Sequence, residues 1–93
     1  MSDARLAEIL RFLNAVQIRA TYGAVAGILG VLPRSMGARL GYRRPEASWI
    51  VSAENGLPTG YSREELHPAL FASSGVIRSG SELQRRMDLW RGR

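Results

Sequence analysis

Apolar positions in the first twenty residues recur at helical spacing. Leu6, Ile9, Leu10, Leu13 and Val16 form one stripe, and Arg5, Arg11 and Arg19 line the other side. Ile18 falls off that stripe, so the pattern weakens toward the end of the segment. The spacing predicts one amphipathic helix within residues 1–20, capped by Ser2 or Asp3, with its apolar stripe packed on the rest of the chain. A helix lying on a membrane surface is the alternative reading, but its polar face mixes charge signs instead of being uniformly basic.

The next segment is punctuated by residues that start and stop helices. Thr21 is a candidate N-cap for a short helix from Tyr22 to Leu29 that buries Val25, Ile28 and Leu29. Gly30 is placed to end it in the left-handed conformation. Pro33 suits the first turn of a second helix running to about Leu40, with Gly41 as its stop. Two short helices joined by a tight glycine-containing turn make a helix-turn-helix over residues 21–41. Ala26 and Gly30, four apart, supply the small residues such close packing needs.

In "ASWIVSAENGLPTGY", residues 47–61, the pattern changes to that of a strand. Trp49, Ile50 and Val51 favour extended backbone, and Asn55-Gly56 is a hairpin signal. A return strand carries Leu57, and Pro58 keeps it at the sheet edge. "SREELHPALF" opens with Ser62 and Glu65 in capping-box spacing, and Pro68 shortens or kinks the helix. "GVIRSG" adds a short strand to the wing sheet. Ser79 or Ser81 then starts a last helix through Leu83, Met87 and Trp90, ending in a basic "RGR" tail. The expected fold is mostly α with a small β-hairpin wing, a winged helix-turn-helix-like single domain over residues 1–93. Its parts are an N-terminal helix (1–20), the helix pair (21–41), the wing hairpin (47–61) and C-terminal helices (62–93).

Composition narrows the chemistry. An apolar fraction of 45% and a charged fraction of 23% are those of a globular chain, so disorder is not expected. The thirteen basic residues are all arginine, against eight acidic ones, for a net charge of +5. Such a balance attracts polyanions, and the guanidinium fork matches phosphate and stacks on bases. With no cysteine, disulfides, thiolate catalysis and cysteine-type zinc sites are excluded. One histidine, His67 beside Pro68, gives no basis for a metal site, and no cofactor is expected. No apolar run approaches the ~20 residues of a spanning helix, and the first residues lack a signal-peptide plan. The expected setting is cytoplasmic, without membrane contact.

"PRSMGARLGYRR" concentrates the binding candidates. Ser35, Gly37 and Ala38 are small enough to let backbone approach a flat surface, while Arg34, Arg39, Arg43 and Arg44 supply charge at and beyond the helix ends. Helix N-terminal amides also attract phosphate. Outward Asn or Gln, which read base edges in the major groove, are scarce, which favours shape and backbone recognition or minor-groove entry.

The stretch from Thr21 to Tyr61, a little under half the chain, resembles the DNA-binding domain of O-alkylguanine-DNA alkyltransferases, and more closely the alkyltransferase-like proteins that lack the reactive cysteine. "TYGAVAGILG" resembles that family's Thr/Ser-Tyr helix opening, and "RSMGARL" its Arg-Ala-Val-Gly-x-Ala recognition helix. "ASWIVSAENGLPTGY" resembles its Pro-Cys-His-Arg-Val-Val strand, following turn and Gly-Tyr. The resemblance implies that Tyr22 presses on the phosphate 3′ to a target nucleotide and helps rotate it out. It implies that Arg34 is a finger inserted into the base stack from the minor groove, and that Ala47, Ser48, Trp49 and Tyr61 line a lesion pocket.

The departures remove the chemistry. With Ile50-Val51 aligned on the family's Val-Val, Ala47 stands at the cysteine position; under another register Trp49 stands there. Neither accepts an alkyl group, so transfer is excluded while lesion binding survives. Flipping a base costs a few kcal/mol, least for damaged or mispaired bases, and needs no catalysis. The expectation is a non-enzymatic protein with no catalytic residues that binds duplex DNA, plain or alkylated, and flags it for downstream repair proteins. A winged-helix transcriptional regulator and a protein-interaction module on the same fold are the alternatives. Monomer and dimer both remain open.

Overall fold

A computed structural model describes residues 4–72 and 75–92. Ser2 and Asp3, the expected caps of the first helix, and Arg93 of the basic tail lie outside the described residues. Helix α1 spans Ala4–Val16 and buries Leu6, Ile9, Leu10, Phe12 and Leu13. It stops earlier than expected because Gln17 turns left-handed, at φ 57, while its N–H still donates to the Leu13 carbonyl at 2.7 Å. That reversal frees Arg19–Thr21 to form strand β1, where the sequence pattern suggested only the tail of a helix.

Strand β1 runs directly into helix α2, Tyr22–Leu29. The Thr21 hydroxyl accepts the Ala24 N–H at 3.1 Å, satisfying one of the amide groups left over at a helix start. Gly30 ends the helix at φ 70. Ala24, Val25 and Ala26 are buried, whereas Ile28 and Leu29 are only partly covered. Pro33–Ser35 forms a single 3₁₀ turn, not the first α-helical turn expected, and helix α3 is confined to Met36–Leu40. Met36 and Leu40 anchor α3 in the core, and Gly41 leaves it at φ 75.

The wing hairpin over 47–61 does not form. Ala47 ends a 3₁₀ turn begun at Pro45. Ile50–Val51, strand β2, pairs in parallel with β1, with Ala20 opposite Ile50 and Thr21 opposite Val51. Val76–Ile77, strand β3, joins the other edge of β1, also in parallel, so the order is β2-β1-β3. Asn55-Gly56 does reverse the chain. The Ser52 N–H reaches the Leu57 carbonyl at 2.9 Å, Leu57 N–H reaches the Asn55 side chain at 3.0 Å, and Gly56 sits at φ 70. Pro58 lacks an N–H to continue a ladder, so the turn closes without a return strand. The Arg19 guanidinium donates to the Gly56 carbonyl at 2.9 Å and ties this turn to β1.

The segment after Tyr61 also departs from the helix expected. Ser62 and Glu65 form the capping box, but it opens only a 3₁₀ turn, Arg63–Glu65. Pro68 follows, and a second turn covers Leu70–Ala72. Helix α4, Gly80–Arg91, starts from Ser79 and buries Leu83 and Met87. The protein is therefore mostly helical around a small three-stranded sheet, with one core cluster shared by every layer. A radius of gyration of 12.1 Å agrees with the ~12 Å of a single compact unit of this length.

Helices α2 and α4 cross at two glycines. A Cβ on Gly80 would stand 3.2 Å from the Ala24 carbonyl oxygen, an atom of the α2 backbone and not the end of a flexible side chain, and one on Gly27 would meet the Gly80 Cα at 3.8 Å. Phe12 and Trp90 close the other end of the α1–α4 seam edge to face, 5.5 Å apart. Two outcomes follow in chemical denaturation. Gly80→Ala loses stability, by about 1–3 kcal/mol, although alanine is the better helix former. Gln17→Gly gains about 0.5–1 kcal/mol by relieving the left-handed conformation.

Candidate nucleic-acid interface

Helix α3 projects Gly37, Ala38 and Arg39 to solvent because Met36 and Leu40 face inward. A groove runs along each side of it. The first is formed by two adjoining cavities of about 390 and 350 Å³ that share Tyr22, Gly37, Arg43 and Thr59. Pro33 and Arg34 line one end; Leu40, Gly41, Tyr42 and Tyr61 line the other. The second groove, about 450 Å³, lies between α3 and α1, with Leu6, Ala7 and Leu10 as its floor and Arg11, Arg39, Arg44 and Glu46 around it.

Among the described residues, none that lines the first groove is acidic. Arg34 is exposed and makes no hydrogen bond or ion pair among the described residues. Arg43 lies flat against Gly60, whose φ is 78; a Cβ there would come within 2.7 Å of the guanidinium. Tyr22 is half-buried at the start of α2, and its hydroxyl accepts the Thr59 N–H at 2.9 Å. That bond orients the ring while leaving the phenolic proton to donate elsewhere. Burial raises the Tyr61 pKa above its ordinary 10.0, opposed in part by a hydrogen bond to the Arg44 backbone, so Tyr61 stays a neutral phenol at physiological pH.

Tyr22, Arg34, Gly37 and Arg43, four residues that the sequence put forward, therefore meet in one place. Ala38 is exposed on α3, and Arg39 lines the opposite groove. Two candidates are occupied structurally. Ser35 donates its hydroxyl to the Leu32 carbonyl at 2.8 Å, stitching its own turn. Arg44 donates to the Leu40 and Tyr42 carbonyls at 2.8 and 3.0 Å and sits 3.5 Å from Glu46, so it acts as a C-terminal cap of α3. The expected phosphate attraction of the α3 amides carries little weight in a helix of five residues.

Ala47, Ser48 and Trp49 do not form an open pocket. All three are sealed at 0% exposure. The Ser48 hydroxyl donates to the Pro45 carbonyl at 2.7 Å and accepts the His67 N–H at 2.9 Å. The Trp49 indole donates to Asn14 at 3.0 Å and packs against the His67 ring, 4.9 Å between centroids. These residues are core, and of the expected pocket only Tyr61 borders a groove. His67 has a structural use as well, its Nδ1 accepting the Ala69 N–H at 3.0 Å.

Sequence reasoning missed Thr59, Gly60 and Tyr42. The Pro-Thr-Gly run marked a turn, but nothing local indicates that it returns to the start of α2. Two other arginines are matched with acids: Arg86 with Glu82 at 3.0 Å, and Arg91 with both Asp88 at 3.1 Å and Glu8. Arg91, in the last turn of α4, thus braces α4 against α1. Among the described residues no helix is long and apolar enough to cross a membrane.

No family model matches the chain, and neither does any curated protein or solved structure.

The Ser48 geometry makes a separable prediction. Ser48→Ala leaves the part-buried His67 N–H without its acceptor and lowers stability by about 1–3 kcal/mol, read by urea unfolding. Anion affinity, measured well below the unfolding midpoint, stays unchanged because the side chain does not reach the groove.

Proposed function

We propose that this protein is a non-enzymatic DNA-binding protein, similar to the alkyltransferase-like group, that grips duplex DNA through the minor groove and holds an alkylated or distorted base pair open. The helix pair α2–α3 is used in helix-turn-helix fashion, without a hairpin wing. The observation that carries the reading is the exposed Arg34, unpartnered among the described residues, sharing with Tyr22 and Arg43 one groove that no described acid lines. A guanidinium with no internal partner is available to enter a base stack, and the Tyr22 hydroxyl is held at the groove wall where a phosphate would pass. The small, outward Gly37 and Ala38 let α3 approach a narrow groove closely.

Recognition in this reading differs from the expectation in one respect. Since Ala47, Ser48 and Trp49 are enclosed, an extrahelical base would rest in the Tyr22–Tyr61 part of the groove and not in a pocket beneath the strand. The bound complex would mark the lesion for other factors, with no bond made or broken by the protein.

Affinity for plain duplex and for duplex carrying a guanine alkylated at its exocyclic oxygen, titrated with salt, tests this. The expected outcome is tighter binding of the lesion and a steep salt slope. Arg34→Ala should remove most of the lesion preference, while Arg43→Ala weakens both duplexes. Equal affinity of the wild-type protein for both duplexes would replace this reading with that of a regulator. Absence of binding at modest salt would replace it with that of a protein-interaction module.

A further inference from the structure

We infer that Tyr42 is a stacking platform for an unpaired nucleobase of a DNA strand, a contact beyond the duplex reading above that rests on it only in taking DNA as the polymer. Tyr42 is 78% exposed, so burial does not account for an aromatic residue there. One face of its ring is already covered: the Arg44 guanidinium lies over it, 4.8 Å from the centroid. Arg44 is itself held by the Leu40 and Tyr42 carbonyls and by Glu46. The ring is therefore backed by a fixed cation and offers its opposite face to solvent.

The surroundings of that open face select the occupant. Tyr42 borders the groove lined by Tyr22, Arg43 and Tyr61, where none of the described lining residues is acidic. On the back of the ring, Glu46 balances Arg44. Arg43, with no acid on it among the described residues, is the cation left on the groove side. A planar group attached to an anion fits both features, and a nucleotide is such a group. Stacking on aromatic side chains is tolerant of base identity and adds to phosphate attraction. In a paired duplex the base faces are taken up by neighbouring bases, so this contact selects an unstacked or single-stranded nucleotide.

The test uses the full chain and three oligomers of equal length: single-stranded oligo-dT, the same strand with abasic sites at its central positions, and oligo-rU. Wild type should bind oligo-dT about tenfold more tightly than the abasic strand. Tyr42→Ala and Tyr42→Leu should abolish that difference, since leucine keeps apolar bulk but has no flat π face. Tyr42→Phe should retain it, and all three variants should keep the wild-type unfolding midpoint and abasic affinity. Equal wild-type binding of oligo-dT and the abasic strand overturns the inference, as does a Tyr42→Leu protein that still discriminates. A Tyr42-dependent preference confined to oligo-rU overturns the assignment to DNA. Tyr42-dependent binding of oligo-dT together with equal affinity for plain and alkylated duplex would uphold this inference while ending the lesion reading.

Discussion

The structure depends on the parallel pairing of three residues, Arg19–Thr21, with strands on both sides of them. Ala20 lies opposite Ile50 on one side and Ile77 on the other, and it is fully buried. Because β1 passes into α2 without a loop, fixing this strand also fixes the first residue of the helix, Tyr22. The neighbouring strand β2 leads into the turn that brings Thr59 back to the Tyr22 hydroxyl. One short ladder thus sets both walls of the groove. Its few hydrogen bonds would not hold alone; the burial of Trp49, Ile50, Val25 and Leu13 around it supplies the stabilisation.

Local signals were legible where physics is local. Thr21, Gly30, Gly41 and the Ser62–Glu65 box each act on backbone groups within a few residues, and each does in the structure what its residue type suggests. The strand pairing was not legible. "RAT" carries no alternating pattern, and its partners lie some thirty and fifty-seven residues along the chain, as the Ala20–Ile50 and Arg19–Val76 registers show. The Asn55-Gly56 signal was real as a turn but misleading as a hairpin, since β2 had a better partner in β1.

The site was legible to the same extent. Arg34 and Tyr22 stand at punctuated helix boundaries twelve residues apart, and the turn between α2 and α3 brings them to one groove. Arg44 looked like a second surface cation, yet carbonyls left unpaired at the end of α3 claim it. Ala47, Ser48 and Trp49 looked like pocket residues by resemblance, but small and aromatic side chains in that order also suit a tight turn entering a buried strand. The 3₁₀ turn at Pro45–Ala47 puts them inside. An all-arginine complement hid a division of labour: Arg86 and Arg91 on α4 meet acids, while among the described residues Arg34 and Arg43 do not.

The bare Cα of Gly60 beneath Arg43 has a consequence for association. Long cationic side chains ordinarily sample many rotamers and surrender that freedom when they engage an anion, at about 0.5–1.5 kcal/mol each. Here the guanidinium rests where a β-carbon on Gly60 would displace it, and any rotamer freedom given up at that seat is not lost a second time on binding. Preorganisation of this kind slows release of whatever the groove holds, without adding a single contact to it.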